Sequence, residues 1–239
     1  MATWLETDGT AGIASCPDSA GLSIVGDIDL RILAKVPDWS PAVAYMFMCK
    51  RHSSAAATGE WQWSNDAAAR LSRWRWFPDD TSITNVSGTF GGAAADGDWL
   101  AHRVFFDVDD GSGNRVITWQ YKIASGPGDD IASSTGWTNA GTPNTTAGTT
   151  TIRGTAANLV EIGSQNTQTT SLMPAGGAVA KALILNGIAG TTVGSPDFTA
   201  LTAGQTSYTD AQGNVWTFAG GVTISGTPDA AGILVGIGF

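Results

Sequence analysis

Cysteine, histidine and charge are all scarce in this chain. Two cysteines and two histidines among 239 residues exclude a disulfide scaffold. Cys16 and Cys49 each sit in an apolar, strand-like run and are expected as buried free thiols rather than a bridge. With His52 and His102 they give no zinc-ligand spacing. No Gly-x-Ser-x-Gly motif, phosphate loop or dinucleotide fingerprint accompanies them. Charged residues make up 14%, against about 25% in ordinary soluble domains. Basic residues cluster only as Lys50-Arg51-His52 and as Arg70, Arg73 and Arg75. With a net charge of −9, these runs are too short for a nucleic-acid or anionic-membrane partner, which needs dense Lys and Arg. Helical periodicity is nearly absent: the best candidate, Asn65–Leu71, is short and Ala-rich, as compatible with a loop as with one turn. No apolar run approaches the length of a membrane span. The opening Met-Ala-Thr-Trp-Leu-Glu has no basic stretch followed by an apolar one, so synthesis in the cytoplasm without a signal peptide is expected.

What the chain has instead is strand and turn chemistry. Ile28–Val36 alternates, with Ile28, Leu30 and Ile32 on one face and Asp29 and Arg31 on the other. Leu22–Val25, Ala42–Lys50, Glu60–Ser64, Leu71–Phe77, Trp99–Phe106, Arg115–Tyr121, Thr150–Arg153, Asn158–Gly163, Ala178–Asn186 and Val215–Ala219 read as further strands. Pro78-Asp-Asp, Asp96-Gly-Asp, Asp109-Asp-Gly, Gly126-Pro-Gly, Gly141-Thr-Pro-Asn and Ala211-Gln-Gly-Asn are turn formers. Many short strands, polar turns and no helices predict an all-β antiparallel β-sandwich over residues 1–219. The Gly/Ser/Thr-rich stretch 124–148 reads as a long excursion with a short hairpin around Trp137. Residues 220–239 read as an apolar C-terminal extension. Its Ile233, Leu234, Val235, Ile237 and Phe239 would aggregate if left bare, so docking on the same sandwich or a neighbouring subunit is expected.

Ala11-Gly-Ile-Ala-Ser-Cys-Pro-Asp-Ser19, the alternating Asp27–Val36, Met48-Cys-Lys50, Gly97-Asp-Trp99 running to Asp107, and Leu159-Val-Glu-Ile-Gly163 occur in an order that resembles the laminin-G-like (concanavalin A-like) jelly-roll family. The resemblance covers roughly residues 5–200. The narrower set Phe106-Asp-Val-Asp-Asp-Gly-x-Gly-Asn-Arg-Val116, Ser195-Pro-Asp-Phe-Thr-Ala-Leu201 and Asp210-Ala-Gln-Gly-Asn-Val-Trp-Thr217 resembles domains of actinobacterial phage virion proteins, often called minor tail proteins. That resemblance implies a component of the virion surface and names no ligand. The expected role is non-enzymatic and structural, with other virion subunits and sister copies in a homo-oligomer as partners; the alternative is an adsorption lectin that binds a host surface glycan. The extra domains and collagen-like repeats frequent in those proteins are missing here, which leaves head decoration beside the tail as a location.

Three groups of residues are candidate sites. Glucanases of the jelly-roll superfamily carry Glu-x-Asp-x-Glu on one strand face to supply a nucleophile and an acid. The matching run here is Asp27-Ile-Asp29-Leu-Arg31, and a cation in the last place disfavours hydrolysis. Asp107, Asp109, Asp110 and Asn114 crowd hard oxygens at one turn, and some laminin-G-like domains bind calcium. The spacing is not an EF-hand loop, and a hairpin turn bonding its own backbone is the competing reading; no other cofactor is implied. Ten tryptophans are present, and Trp61, Trp63, Trp74, Trp76 and Trp137 are the candidate ligand-binding aromatics. Period two puts Trp74 and Trp76 on one face and Arg73 and Arg75 on the other. Facing inward the tryptophans are core; facing outward they are a binding patch.

Overall fold

The computed structural model describes residues 2–51, 59–67, 70–79, 84–89, 95–154, 158–165 and 171–226. Strands in chain order are β1 (Thr3–Thr7), β2 (Ala14–Cys16), β3 (Ile28–Lys35), β4 (Tyr45–Arg51), β5 (Gly59–Asp66), β6 (Leu71–Trp76), β7 (Thr84–Thr89), β8 (Trp99–Asp107), β9 (Asn114–Ile123), β10 (Thr138–Asn139), β11 (Asn144–Ala147), β12 (Val160–Ile162), β13 (Ala178–Asn186), β14 (Thr191–Gly194), β15 (Ser207–Thr209), β16 (Val215–Phe218) and β17 (Val222–Gly226). Sheet A runs β10-β9-β8-β3-β13-β1-β17, with β11 also on β9 and β14 on β13; sheet B runs β15-β16-β2-β12-β4-β5-β6-β7. The named strands pair antiparallel throughout. Neighbours such as β3 and β13, or β2 and β12, are distant in sequence. The chain therefore wraps back and forth between the layers, the winding of a jelly-roll β-sandwich.

Alternation builds the core. Ile28, Leu30, Ile32 and Ala34 of β3, Leu100, Val104 and Phe106 of β8, and Trp61, Trp63, Trp74 and Trp76 of β5 and β6 meet in one buried cluster between the sheets. Trp74 and Trp76 touch Phe106 of the opposite layer, with ring centroids 5.9 and 4.5 Å apart. Gly88 of β7 is required here, because a Cβ would lie 2.5 Å from the Trp119 ring. His102 points into the same layer between Trp39 and Phe47, at 4.9 and 5.2 Å. Burial pushes its pKa down to about 3, so it is neutral at pH 7.

Several expected segments differ. Leu22–Val25 is the end of a 3-10 turn, Ala20–Leu22, followed by loop. Thr150–Arg153 is also loop, tied in by Ile152 N–H to Val25 O and Arg153 N–H to Phe77 O, both 2.9 Å. Asn65 and Asp66 end β5 and Leu71 opens β6, which pairs antiparallel with it; residues 68 and 69 of the Ala-rich candidate lie outside the described residues. The hairpin expected around Trp137 is not formed: β10, which follows Trp137, and β11 do not pair with each other but lie one after the other antiparallel on β9, which offers them a ready-made edge. Residues 222–226 of the C-terminal extension form β17, in register with β1 from Thr3↔Gly226 to Thr7↔Val222. The sandwich thus continues beyond residue 219. Ile233, Leu234, Val235, Ile237 and Phe239 lie outside the described residues, as does His52. Cys16 and Cys49 are free and buried; β12 runs between their strands.

Candidate functional site

Four of the five candidate tryptophans are not available to a ligand. Trp61, Trp63 and Trp74 are 0% exposed and Trp76 1%. They face inward because Arg73 and Arg75, one residue out of phase, take the opposite face of β6. Trp61 stacks on Trp74 at 6.3 Å, and Trp63 Nε1 donates to Ser72 Oγ at 2.8 Å. They are the joint between the sheets.

The acidic turn is likewise absorbed by its own backbone. Asp107 Oδ1 accepts from Asp109 N–H (3.1 Å), Asp109 Oδ1 from Gly111 N–H (3.1 Å), and Asp110 Oδ1 from the N–H groups of Ser112 (2.8 Å) and Asn114 (3.0 Å). Asn114 Nδ2 donates to Asp110 Oδ2. Gly111 and Gly113 supply the positive φ values, 75° and 83°, that the turn needs. Asp107, Asp109, Asp110 and Asn114 thus form an Asx-bonded hairpin turn. Among the described residues no group of three His, Cys, Asp or Glu is placed to hold a metal ion.

The motif residues serve as latches. Asp18 of Pro17-Asp18-Ser19 pairs with Lys50 at 2.6 Å, and Lys50 also reaches Glu60 at 2.9 Å. Two distant motif segments therefore meet in one buried ion cluster. Asp210 accepts from Ser195 N–H (2.9 Å), Asn214 N–H (2.9 Å) and Trp216 Nε1 (3.0 Å), joining the Ser195 and Asp210 motifs. Burial opposes its charge, but the hydrogen bonds of Asn214 and Trp216 outweigh it and hold the carboxyl below the usual range.

The remaining candidate, Trp137, leads to a distinct surface: the outer face of sheet A. Asp29 and Arg31 of β3 and Arg103 of β8 share that face and are buried beneath the segment 124–137. Asp29 receives a fork from each arginine: Arg31 Nε and Nη2 at 3.2 and 2.9 Å, and Arg103 Nε and Nη2 at 2.9 and 2.7 Å. Ala189 N–H adds a fifth bond. Burial works against the carboxylate, but the hydrogen bonds from Arg103 and Arg31 prevail and hold its pKa low. Asp29 and Arg31, which alternation puts on one face of β3, are therefore paired with each other and covered from solvent. Arg31 Nη1 donates to the carbonyls of Ile131 (3.0 Å), Ala132 (2.6 Å) and Ser133 (3.1 Å), which pins the covering segment. Trp137 lies on top, with Lys122 4.4 Å from its ring centroid and Arg31 and Arg103 at 5.8 and 5.9 Å. Its Nε1 donates to Ser133 O at 2.8 Å.

Around this cap lies a second apolar cluster. Leu33, Ala101, Ile131, Ala180 and Leu183 form its floor, and Trp4, Trp99 and Trp137 pack against it half-buried. Trp4 and Trp99 meet edge-on at 5.6 Å, and Lys35 Nζ sits 5.6 and 5.8 Å from their centroids. Across Ile131 a cavity of about 310 Å³ is lined by Asp130, Lys181, Leu183, Asp197 and Tyr208. Lys181 Nζ is held by Gly128 O at 3.1 Å. Flat aromatic rings, an apolar floor and a few convergent polar groups are the make-up of a ligand face. Sequence reasoning missed Trp4, Trp99 and Lys35. The signal for Trp99 was the period of Trp99–Phe106, which puts Trp99 in phase with Arg103. Trp4 had none, lying in the short β1.

Neither a family model nor a curated protein matches the chain. Solved structures with a similar backbone include the CBM40 of the Ruminococcus gnavus IT-sialidase bound to alpha2,3 sialyllactose (TM-score 0.47, 9% identity, 78% of this chain and 92% of that one). They also include the enzymatically active domain of tailspike protein 2 of bacteriophage CBA120 (TM-score 0.40, 12% identity, 79% and 29%), and the binding domain of botulinum neurotoxin serotype D/C (TM-score 0.40, 9% identity, 77% and 44%). The chain spans less than half the length of the last two. At these identities the likeness says nothing about ligands.

Proposed function

We propose that this chain is a non-enzymatic, lectin-like binding protein of a phage virion surface, and that the outer face of sheet A is where it meets a host glycan. One observation carries the reading: all three half-exposed tryptophans, Trp4, Trp99 and Trp137, lie on that face around Ile131, whereas the other seven are buried. Pyranose rings stack on such exposed aromatic faces, and the polar groups around the cavity supply orientation. The virion assignment rests on the motif resemblance. The non-enzymatic reading is supported by Asp29, whose oxygens are saturated by two guanidiniums and one N–H, and by Arg31 in the place where a hydrolase would need a third carboxylate.

The test is a glycan array probed with the full chain and with a Trp99→Ala/Trp137→Ala variant shown to be folded by circular dichroism. Saturable binding that disappears in the variant is expected. Silence across the array, or binding the variant retains, sinks the glycan reading. Antibody labelling of intact particles tests the location separately.

A further inference from the structure

Lys50 is a buried amine that the glycan face on sheet A does not use. It stands on β4 between Trp61 of β5 and Val160 of β12, its cross-strand neighbours, and all three are 0% exposed. The β4–β5 register shifts just after it: Lys50 faces Trp61, but Arg51 faces Gly59. Glu60 is therefore the extra residue of a β-bulge, which re-aims its side chain. Glu60 is itself 0% exposed, and its Oε2 lies 2.9 Å from Lys50 Nζ. The other oxygen, Glu60 Oε1, accepts from Asn158 Nδ2 at 3.4 Å. Asn158 is 2% exposed and precedes Val160, the β12 partner of Lys50, by two residues. One carboxylate thus bridges an amine and a carboxamide from distant parts of the chain, in a site closed to water. Asp18 Oδ1 (2.6 Å), Ser23 Oγ (3.0 Å) and Leu22 O (3.2 Å) hold Nζ from its other sides. An ion pair accounts for Lys50 and the carboxylates. It does not require a carboxamide on the far oxygen of Glu60.

We propose that Lys50 and Asn158 join in an intramolecular amide bond, with Glu60 as the proton-transfer group. Holding amine and carboxamide on one carboxylate turns a bimolecular encounter into a unimolecular step, a gain that reaches effective molarities of about 10⁵ M or more. Glu60 Oε2 takes a proton from the Lys50 ammonium and frees the lone pair on Nζ. That pair attacks Asn158 Cγ and forms the Nζ–Cγ bond. Glu60 passes its proton to Nδ2, the Cγ–Nδ2 bond breaks, and the electron pair leaves with ammonia. Glu60 then takes the second proton from Nζ, which the ammonia carries away as ammonium. The carboxylate ends as it began, and no oxidant or cofactor enters. The bond fastens β4 to the lead into β12 and closes the stretch from β5 to β11 into a loop. In a chain whose two cysteines are free, it is a covalent tie that needs no oxidising compartment.

The experiment is intact-mass spectrometry of the purified full chain, followed by peptide mapping. The expected mass is one ammonia below that of the sequence, with Lys50 and Asn158 recovered in one branched peptide. In a denaturing gel the chain should run ahead of Asn158→Ala, whose loop stays open. Glu60→Gln, shown to be folded by circular dichroism, should keep its full sequence mass. The mass of the parent chain decides the matter even where a variant fails to fold. The unmodified mass, an ammonia loss mapped elsewhere, or a water loss joining Lys50 to Asp18 overturns the proposal. A cross-link that forms undiminished in Glu60→Gln overturns the role given to Glu60.

Discussion

The two outer faces of this sandwich handle charge in opposite ways. On sheet A, Asp29, Arg31 and Arg103 lie under the segment 124–137. Asp29 takes five hydrogen bonds, and Arg31 Nη1 is met by three carbonyls. On sheet B, the half-buried Arg73 and Arg75 flank an open cavity, where Arg73 pairs with Asp66 and Arg75 Nη1 donates to Gln62 Oε1. The difference follows from what covers each face. A charge sealed under a loop has lost its water and must be matched within the protein. A charge at an open cavity keeps solvent as a partner, so fewer bonds from the protein suffice.

The sharpest way to break this comparison is Asp29→Ala. It strands two buried guanidiniums, and leaving a buried ion unmatched costs about 3–5 kcal/mol. Urea unfolding should show that loss. The segment 124–137, pinned through Arg31, should also become the first site of limited proteolysis. A loss below about 1 kcal/mol would mean that the network behaves as a surface ion pair, and the contrast between the faces would fail.

The core offers a third way of burying a titratable group: keeping it neutral. His102, on the inner side of the strand that carries Arg103, has its pKa pushed by burial to about 3. The unfolded chain takes up that proton near pH 6.5. Between those two values the unfolded state binds the proton and the folded state does not. Stability therefore falls as pH drops from about 6.5 towards 3, by up to roughly 1.4 kcal/mol per pH unit from this residue. Near pH 5 the deficit is about 2 kcal/mol. The difference in pH dependence between the wild-type chain and His102→Gln isolates the effect from that of the carboxylates. Parallel curves would refute it.

Which of these features could be read from the sequence depends on how local their causes are. β13 was legible from end to end, because Ala178–Asn186 is an apolar run long enough to stand without its partners. The Asp109-Asp-Gly turn was legible because its hydrogen bonds stay within five residues. Alternation placed Trp74 and Trp76 on one side but could not say which, since the deciding contact is Phe106 on the other sheet. Spacing two placed both members of the Asp29–Arg31 pair on one face. Arg103, which completes it, comes from a strand whose register is set by long-range pairing. β1 and β17 hold few apolar residues and exist because they pair with each other across the length of the chain.

Trp137 tests how firmly the cap on sheet A is held. Its ring contacts three cations but stays half-exposed. Trp137→Ala should cost about 1–2 kcal/mol from lost cation–π contact and packing, less than Asp29→Ala because the Arg31–carbonyl bonds remain. If the cost equals that of Asp29→Ala, the tryptophan rather than the ion network holds the segment down.

The smallest expected effect is the most discriminating. Burial and the adjacent Arg73 both press the Arg75 pKa downward, so its charge is held against resistance. Replacing it by glutamine removes a desolvated cation and one like-charge neighbour, while Gln62 Oε1 keeps its bond from Arg51. Arg75→Gln should therefore leave stability within about 0.5 kcal/mol of the parent chain, or raise it slightly. Arg31→Gln on sheet A abandons three carbonyls and half of the charge on Asp29, and should cost about 3 kcal/mol or more. Matched urea curves for the two variants measure the asymmetry directly. Equal losses would show that Arg75 is as tightly compensated as Arg31.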